Sequence, residues 1–461
     1  MNFTEFDSNT KTQWYNQAIK DLKGKDFDQA LVWDTLEGFK VQPYYAEEDL
    51  KELPLDAIQK AQNSKQTVGW QNRPMVKYSD EKSSNQQILS LLNRGGEGVS
   101  LKIHSTAIDN INLTKVLDKI KLSETPFYFS VRGNAKKTVE SLKKFINYQM
   151  KGGIVDDFLA DWMVSGELNE NAWDAAAEVI KMTADSPQFR TLTVSSHHFH
   201  NAGANATQEL AFLLNSLVTY LDKLTDKGLT IEEITPKIEL SVSVGTNYFI
   251  EIAKIRALRY LYEKIIGEYQ KPEARSQKLQ PLFIHAQTSS FYDSTLTANT
   301  NMLRATTEAM SAAIGGVDAI TVHAYDEVFR ESDEFSERIA RNISILMKEE
   351  GHLNKSEDAS AGSYFIENLT YQLIESAWKL FLEVESKGGI IEAFNDGFIQ
   401  SEIEKSYQAK LAELQNGKIM VGVNKFQFGK EENLKGNQNN NDDKLLKNRR
   451  IAETFELNNH Q

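Results

Sequence analysis

Residues 189–212 read FRTLTVSSHHFHNAGANATQELAF. Residues 189–195 alternate apolar and polar side chains, the two-residue period of a strand. A histidine-rich turn follows, and an amphipathic helix starts near Ala206. A strand passing through a turn into a helix is the unit of parallel α/β folds, whose ligand-facing rim is built from the loops leaving the C-terminal strand ends. His197, His198 and His200 stand at that junction.

Outward from this stretch the same unit recurs. Strands are predicted at 99–103, 127–131, 154–158, 189–195, 238–244, 282–286 and 319–323, with a weaker one at 363–366. Eight strands separated by helical segments is the count of a closed (β/α)8 TIM barrel, and a doubly wound open sheet is the structural alternative. Phe335, Ile339, Ile343 and Leu346 make one predicted apolar helix face, and Phe249, Ile252, Ala253, Arg256 and Tyr260 another. Arg256 is the odd member: it either reaches inward to a ligand or ties its helix to the barrel wall through a carboxylate.

Residues 1–65 differ from the rest. Trp14, Tyr15, Ala18, Ile19 and Leu22 fall at helical spacing, and LVWDTLEGFKV (31–41) reads as two short strands joined at Glu37-Gly38. This helix and hairpin form an arm too small to fold alone, expected to pack on the body or on another subunit. The barrel is expected over 66–428. Residues 429–461 read as a polar linker, GNQNNNDDK (436–444), and a short tail with a helix over 449–455.

The composition excludes several classes. The 461 residues include no cysteine, so disulfides, thiolate nucleophiles and cysteine-ligated metals are ruled out. A net charge of -13 opposes a broad nucleic-acid footprint. No apolar run is long enough to span a membrane, and MNFTEFDSNTK lacks a secretory pattern, which predicts a cytoplasmic protein. Neither GxGxxG nor GxxxxGK[ST] occurs. Arg94-Gly95-Gly96-Glu97-Gly98 reads as a helix end and a tight turn. The triplet His197, His198 and His200 lacks a carboxylate at matching helical spacing, and no metal is expected there. His285 and His323 also fall near predicted strand ends, so histidines from three strands either form a polar pocket or bond their neighbours in a wet mouth.

Further segments carry a family resemblance. The turn region, with NYFIEIAKIRALRYLYE (247–263), HAQTSS (285–290), RIARNISILMKEEGHLNK (338–355), SAGSYFIENLTYQLIESAWKLFLEVESKGGIIEAF (360–394) and GVNKF (422–426), resembles the methylmalonyl-CoA mutase family. The resemblance runs in order from Trp70 onward. It implies a coenzyme A-binding barrel joined to a cobalamin domain, with adenosylcobalamin starting the radical rearrangement that interconverts methylmalonyl-CoA and succinyl-CoA.

Residue by residue, the resemblance implies a catalytic role for His198, matched to the histidine at the substrate thioester carbonyl, and substrate contacts for Arg73, His285 and Gln287. Other positions depart from the pattern. Met75 replaces a tyrosine, AQNSKQTVG precedes Trp70 in place of an aromatic and arginine-rich segment, Val155 replaces a glutamine, and Phe283 replaces an arginine. Ser165 replaces the arginine that grips the substrate carboxylate, and a hydroxyl cannot substitute for a bidentate guanidinium. No D-x-H-x-x-G motif is present, and a cobalamin domain is expected to be absent.

These departures resemble the family's small subunits, which implies a non-catalytic chain whose family-matched site is vestigial. Its partner would be a large catalytic subunit holding adenosylcobalamin, in a heterodimer; this chain alone would hold no cofactor. The alternative is a catalytic acyl-CoA mutase barrel that uses a cobalamin domain on a separate protein. A third reading is an unrelated barrel lyase or isomerase with His198 as general acid or base.

Overall fold

The computed structural model describes residues 10–65, 67–104, 108–169, 171–270, 281–427 and 444–458. Its centre is Ile238–Val244, IELSVSV, buried at every position, as expected of a strand covered on both faces. It pairs in parallel with Leu192–Ser195 on one side and Phe283–Thr288 on the other. Phe283–Thr288 pairs in turn with Ala319–Thr321.

Two broken strands close the ring. Gln71–Asn72 pairs with Ala319–Thr321, whereas Met75–Lys77, two residues on, pairs with Val99–Lys102. Pro74 has no N–H for a ladder and restricts Arg73 before it, so the strand breaks there. Likewise Phe189–Arg190 pairs with Gly152–Val155 while Leu192–Ser195 pairs with Ile238–Val244. Phe127–Ser130 completes the order between Val99–Lys102 and Gly152–Val155. With each broken strand counted once, eight parallel strands follow in sequence order, and the fold is a TIM barrel.

The strand expected at 363–366 is instead the start of the helix Tyr364–Ser386, where Ser363 caps the chain by accepting from the Ile366 N–H. The true first strand, within 71–77, escapes pattern reading because Pro74 splits it into two short pieces. The strand expected at 154–158 ends at Val155, because Asp157 caps the helix Phe158–Ser165. Helix Glu334–Glu349 has the predicted period but turns a different face inward: Ser336, Ala340, Ser344 and Met347 are buried, while Phe335 and Leu346 are 51% and 52% exposed. Small side chains let this helix lie close to the wall, and the Trp70 indole donates to Ser344 Oγ at 2.8 Å. Arg256 pairs with Asp358 and, at 2.8 Å, with Glu367, so it ties helix Tyr248–Tyr269 to the outer layer.

The hairpin of the arm, Trp33–Asp34 against Lys40–Val41, sits on the start of helix Ala206–Asp226. Asn205 Nδ2 donates to the Leu36 carbonyl at 2.6 Å and Thr207 Oγ1 to that of Glu37 at 2.9 Å. Helix Lys11–Asp21 buries none of its residues, and Tyr15, Ile19, Trp33 and Tyr44 remain exposed beside it.

Most of the predicted linker, 436–443, lies outside the described residues. The tail helix is Glu453–Asn458, shifted toward the C-terminus, because the residues before it lie extended along the barrel rim. Leu446, Arg449 and Ile451 donate their N–H groups to the carbonyls of Met163, Asn201 and Phe291. Among the described residues no helix is long and apolar enough to cross a membrane.

Candidate active site: bore and rim of the barrel

The fifth-strand turn is fixed from below. Asp157 accepts from Ser195 N at 2.7 Å, Ser195 Oγ at 2.9 Å and Tyr220 Oη at 2.8 Å. Burial pushes this carboxyl up to about 6 despite those donors. A six-residue helix, His197–Ala202, then ends at Gly203 with φ 112°, where a Cβ would meet Tyr407 Cβ at 2.7 Å.

The three histidines of the turn go separate ways. His200 is held by Glu209 Oε1 at 2.8 Å and Ser289 Oγ at 2.6 Å. His197 turns into the bore, with Nδ1 2.8 Å from Ser243 Oγ and Nε2 2.8 Å from Ser241 Oγ. Ser241 Oγ also lies 2.7 Å from His285 Nδ1, His285 Nε2 lies 2.8 Å from Thr321 Oγ1, and Thr321 Oγ1 donates to the Arg73 carbonyl at 2.7 Å.

With both imidazoles neutral, the last bond sets every proton before it. Thr321 has one hydroxyl proton and gives it to a carbonyl, so it accepts from His285 Nε2–H. His285 Nδ1 then accepts from Ser241, Ser241 accepts from His197 Nε2–H, and His197 Nδ1 accepts from Ser243. Both imidazoles are neutral in this relay, and burial lowers both well below the ordinary histidine value.

Arg73 crosses the bore beside the relay. Its Nη1 meets Glu239 Oε1 at 2.8 Å, its Nε donates to Ser100 Oγ at 2.8 Å, and its guanidinium lies 3.4 Å from the centre of the Tyr128 ring. Arg73 belongs to the first strand and Glu239 to the sixth, three places apart on an eight-membered ring, so the pair spans the interior. Both side chains are essentially buried, at 1–2% exposure. The second Glu239 oxygen is buried without a partner. One level down, Tyr128 Oη donates to Gln71 at 3.0 Å, and the Arg190 guanidinium stacks 3.8 Å over the Phe283 ring.

His198 is different. Its ring is partly open, yet both nitrogens are closed off from solvent and from every protein partner. Its ring centre lies 3.8 Å from that of Phe199, and burial drives its pKa down to about 3. Gln287 shares the inward face of its strand with His285 by the two-residue period and is half-buried, and among the described residues no group bonds its amide. His323 pairs with Glu327; burial alone would depress that imidazole, but the carboxylate outweighs it and raises it. Among the described residues no group of three or more His, Asp or Glu takes a metal-holding arrangement.

Arg73 and His285 thus share the bore, Gln287 shares the strand face of His285, and His198 stands at the rim turn. Arg73 and His285 are committed to protein partners there, whereas His198 and Gln287 are not. Glu239, Tyr128 and the hydroxyls of Ser241, Ser243 and Thr321 were missed. A charge inside an otherwise apolar strand, and hydroxyls alternating along IELSVSV, are the signals that could have found them.

A family model described as methylmalonyl-CoA mutase matches residues 105–461. The chain belongs to the methylmalonyl-CoA mutase family. It is similar to the methylmalonyl-CoA mutase small subunit of Porphyromonas gingivalis, with 35% identity over 92% of this chain and 71% of that one. It is also similar to the methylmalonyl-CoA mutase of Cereibacter sphaeroides, 31% identical over 91% of this chain and 64% of that one. The mitochondrial methylmalonyl-CoA mutase of Homo sapiens is 29% identical over 91% of this chain and 61% of its own length. The chain therefore spans less than two thirds of those two longer relatives.

Within this mutase barrel, Ser165 ends helix Phe158–Ser165 at the surface and donates to the Asp161 carbonyl of its own helix at 2.7 Å. Met75 faces a groove of about 340 Å³ between the first and eighth strands, beside Lys77 and His323. As a cobalt ligand the rim histidines do not fit: His197 and His200 use both nitrogens on protein partners, and those of His198 are inaccessible.

Proposed function

We propose that this chain is the small, non-catalytic subunit of a heterodimeric adenosylcobalamin-dependent methylmalonyl-CoA mutase. It supports a large catalytic subunit that holds the cofactor and interconverts methylmalonyl-CoA and succinyl-CoA. The observation that carries this reading is the Arg73–Glu239 pair, which lies across the space that an extended acyl-CoA arm would need in order to run along the bore. Separating that pair to admit a ligand would leave a buried charge unpaired, a cost of about 3–5 kcal/mol. The similarity to a small subunit adds weight. On this reading His198, Arg73, His285 and Gln287 are vestiges of an ancestral catalytic and substrate-binding pocket. Residues 1–65 form the arm that contacts the large subunit, supported by its exposed aromatic residues, while 66–428 form the barrel and 429–461 the linker and tail. The complex is assigned to the cytoplasm.

The test is to assay the purified chain, with adenosylcobalamin, alone and with the large chain. Turnover is expected only when the large chain is present; turnover by this chain alone would refute the reading. A second reading is a catalytic acyl-CoA mutase barrel that uses a cobalamin domain on a separate protein. His198 favours it, as an imidazole whose nitrogens no protein group engages, although a substrate carbonyl would reach them only after the ring is uncovered. It predicts acyl-CoA binding by this chain without the large subunit.

A further inference from the structure

A second cavity, of about 330 Å³, lies away from the bore, between the arm hairpin, the rim loops after the fifth and sixth strands, and the end of helix Phe398–Gln415. Two half-buried charges of opposite sign line it without touching. Lys410 donates to the Ala204 carbonyl at 2.6 Å and lies 5.2 Å from the centre of the Phe291 ring, and among the described residues no second acceptor takes its other ammonium hydrogens. Glu37 sits on the hairpin turn, held over the cavity by the bond from Thr207 Oγ1 to its carbonyl. Among the described residues no carboxylate lies within ion-pair distance of Lys410, and no cation within that distance of Glu37.

The other charges around the cavity are matched. Lys254 pairs with Glu209 and Glu251 at 3.1 and 2.7 Å, and Lys418 pairs with Glu413 at 2.5 Å. Burial raises the Glu37 carboxyl and lowers the Lys410 ammonium to about 8, the expected response of charges taken from water without a full partner. Each feels the other across the cavity, and Lys410 also feels Glu209 and Glu251, but neither has a direct ion-pair partner, and a ligand that brings one to each relieves the burial. Tyr292 lines the same space, and among the described residues no group bonds its hydroxyl. Leu36, Leu414, Met420 and Ile451 give an apolar wall beside the charged pair, with the exposed Trp33 and Ile419 at the mouth.

We propose that this cavity binds a small zwitterion with an aliphatic side chain, of the α-amino acid class: its carboxylate meets Lys410, its ammonium meets Glu37, and its side chain lies on the apolar wall. The site is separate from the bore and needs no catalysis by this chain, so its test reads independently of the subunit assay.

The experiment is calorimetric titration of the full chain, alone and in complex with the large chain, with L-leucine and L-methionine. The single-charge analogues are 4-methylpentanoate, which lacks the ammonium, and 3-methylbutylamine, which lacks the carboxylate. Saturable binding of at least one amino acid is expected, with each analogue weaker by about tenfold or more, the equivalent of ~1.4 kcal/mol. Glu37→Gln and Lys410→Met should each weaken the amino acid by a similar factor. If a variant does not fold, the analogue series on the unaltered chain decides alone. Absence of amino-acid binding, or an analogue binding as tightly as the zwitterion, would overturn the proposal.

Discussion

In the bore, His197, Ser241, His285 and Thr321 pass hydrogen bonds in one direction to the Arg73 backbone, and both imidazoles use both nitrogens. One residue along the chain, His198 uses neither. The two histidines share one turn, yet His197 is locked into the relay while the His198 nitrogens are covered and bond nothing. A polar side chain that matches a family site residue is therefore weak evidence of activity by itself. Its partners decide. Arg73 matches the family, but its guanidinium is spent on Glu239, Ser100 and Tyr128.

The largest effect should come from breaking the bore. Glu239→Ala leaves Arg73 buried and unpaired and should cost about 3–5 kcal/mol in denaturant unfolding. The double replacement Arg73→Met with Glu239→Leu should recover most of that loss, because two apolar side chains of similar size remove both charges together. If the single and double variants are equally unstable, the pair does not hold the bore closed.

Next comes pH. The unfolded chain protonates His198 near 6.5, whereas the folded chain holds it neutral down to about 3. The stability carried by the neutral ring is thus complete above pH 6.5 and is lost progressively as the pH falls toward 3. His198→Phe should remove about 1–2 kcal/mol of destabilisation at pH 5, discounted for the partly open ring, and should leave pH 7.5 nearly unchanged. Equal acid sensitivity in the variant and the parent, followed by thermal unfolding, would place the ring in water instead.

How much of this was legible in the sequence follows from the same contrast. Continuous or alternating apolar runs such as 238–244 announce their strands, because burial on the barrel wall demands them. The first strand did not, because Pro74 splits it and pairing on both sides, a long-range property, is what makes it a strand. Helix Glu334–Glu349 shows the limit of reading apolar faces: Ser336, Ala340 and Ser344 face the wall because they are small. The site residues were legible only through family resemblance, and their state was not. Nothing near Arg73 in the chain indicates Glu239, which stands 166 residues away.

A smaller effect is expected at the arm. Asn205 both caps helix Ala206–Asp226 and donates to the Leu36 carbonyl of the hairpin. Asn205→Ala should cost about 1–2 kcal/mol. Hydrogen exchange should show the hairpin loosening while the bore strands stay protected; uniform loosening would mean that the arm and barrel unfold as one unit.

The most direct test of the central claim is titration of the purified chain, without the large subunit or cofactor, with methylmalonyl-CoA. A bore spanned by Arg73 and Glu239 predicts no saturable binding. Saturable binding that is abolished by His198→Ala would contradict the account and make this barrel a working substrate site.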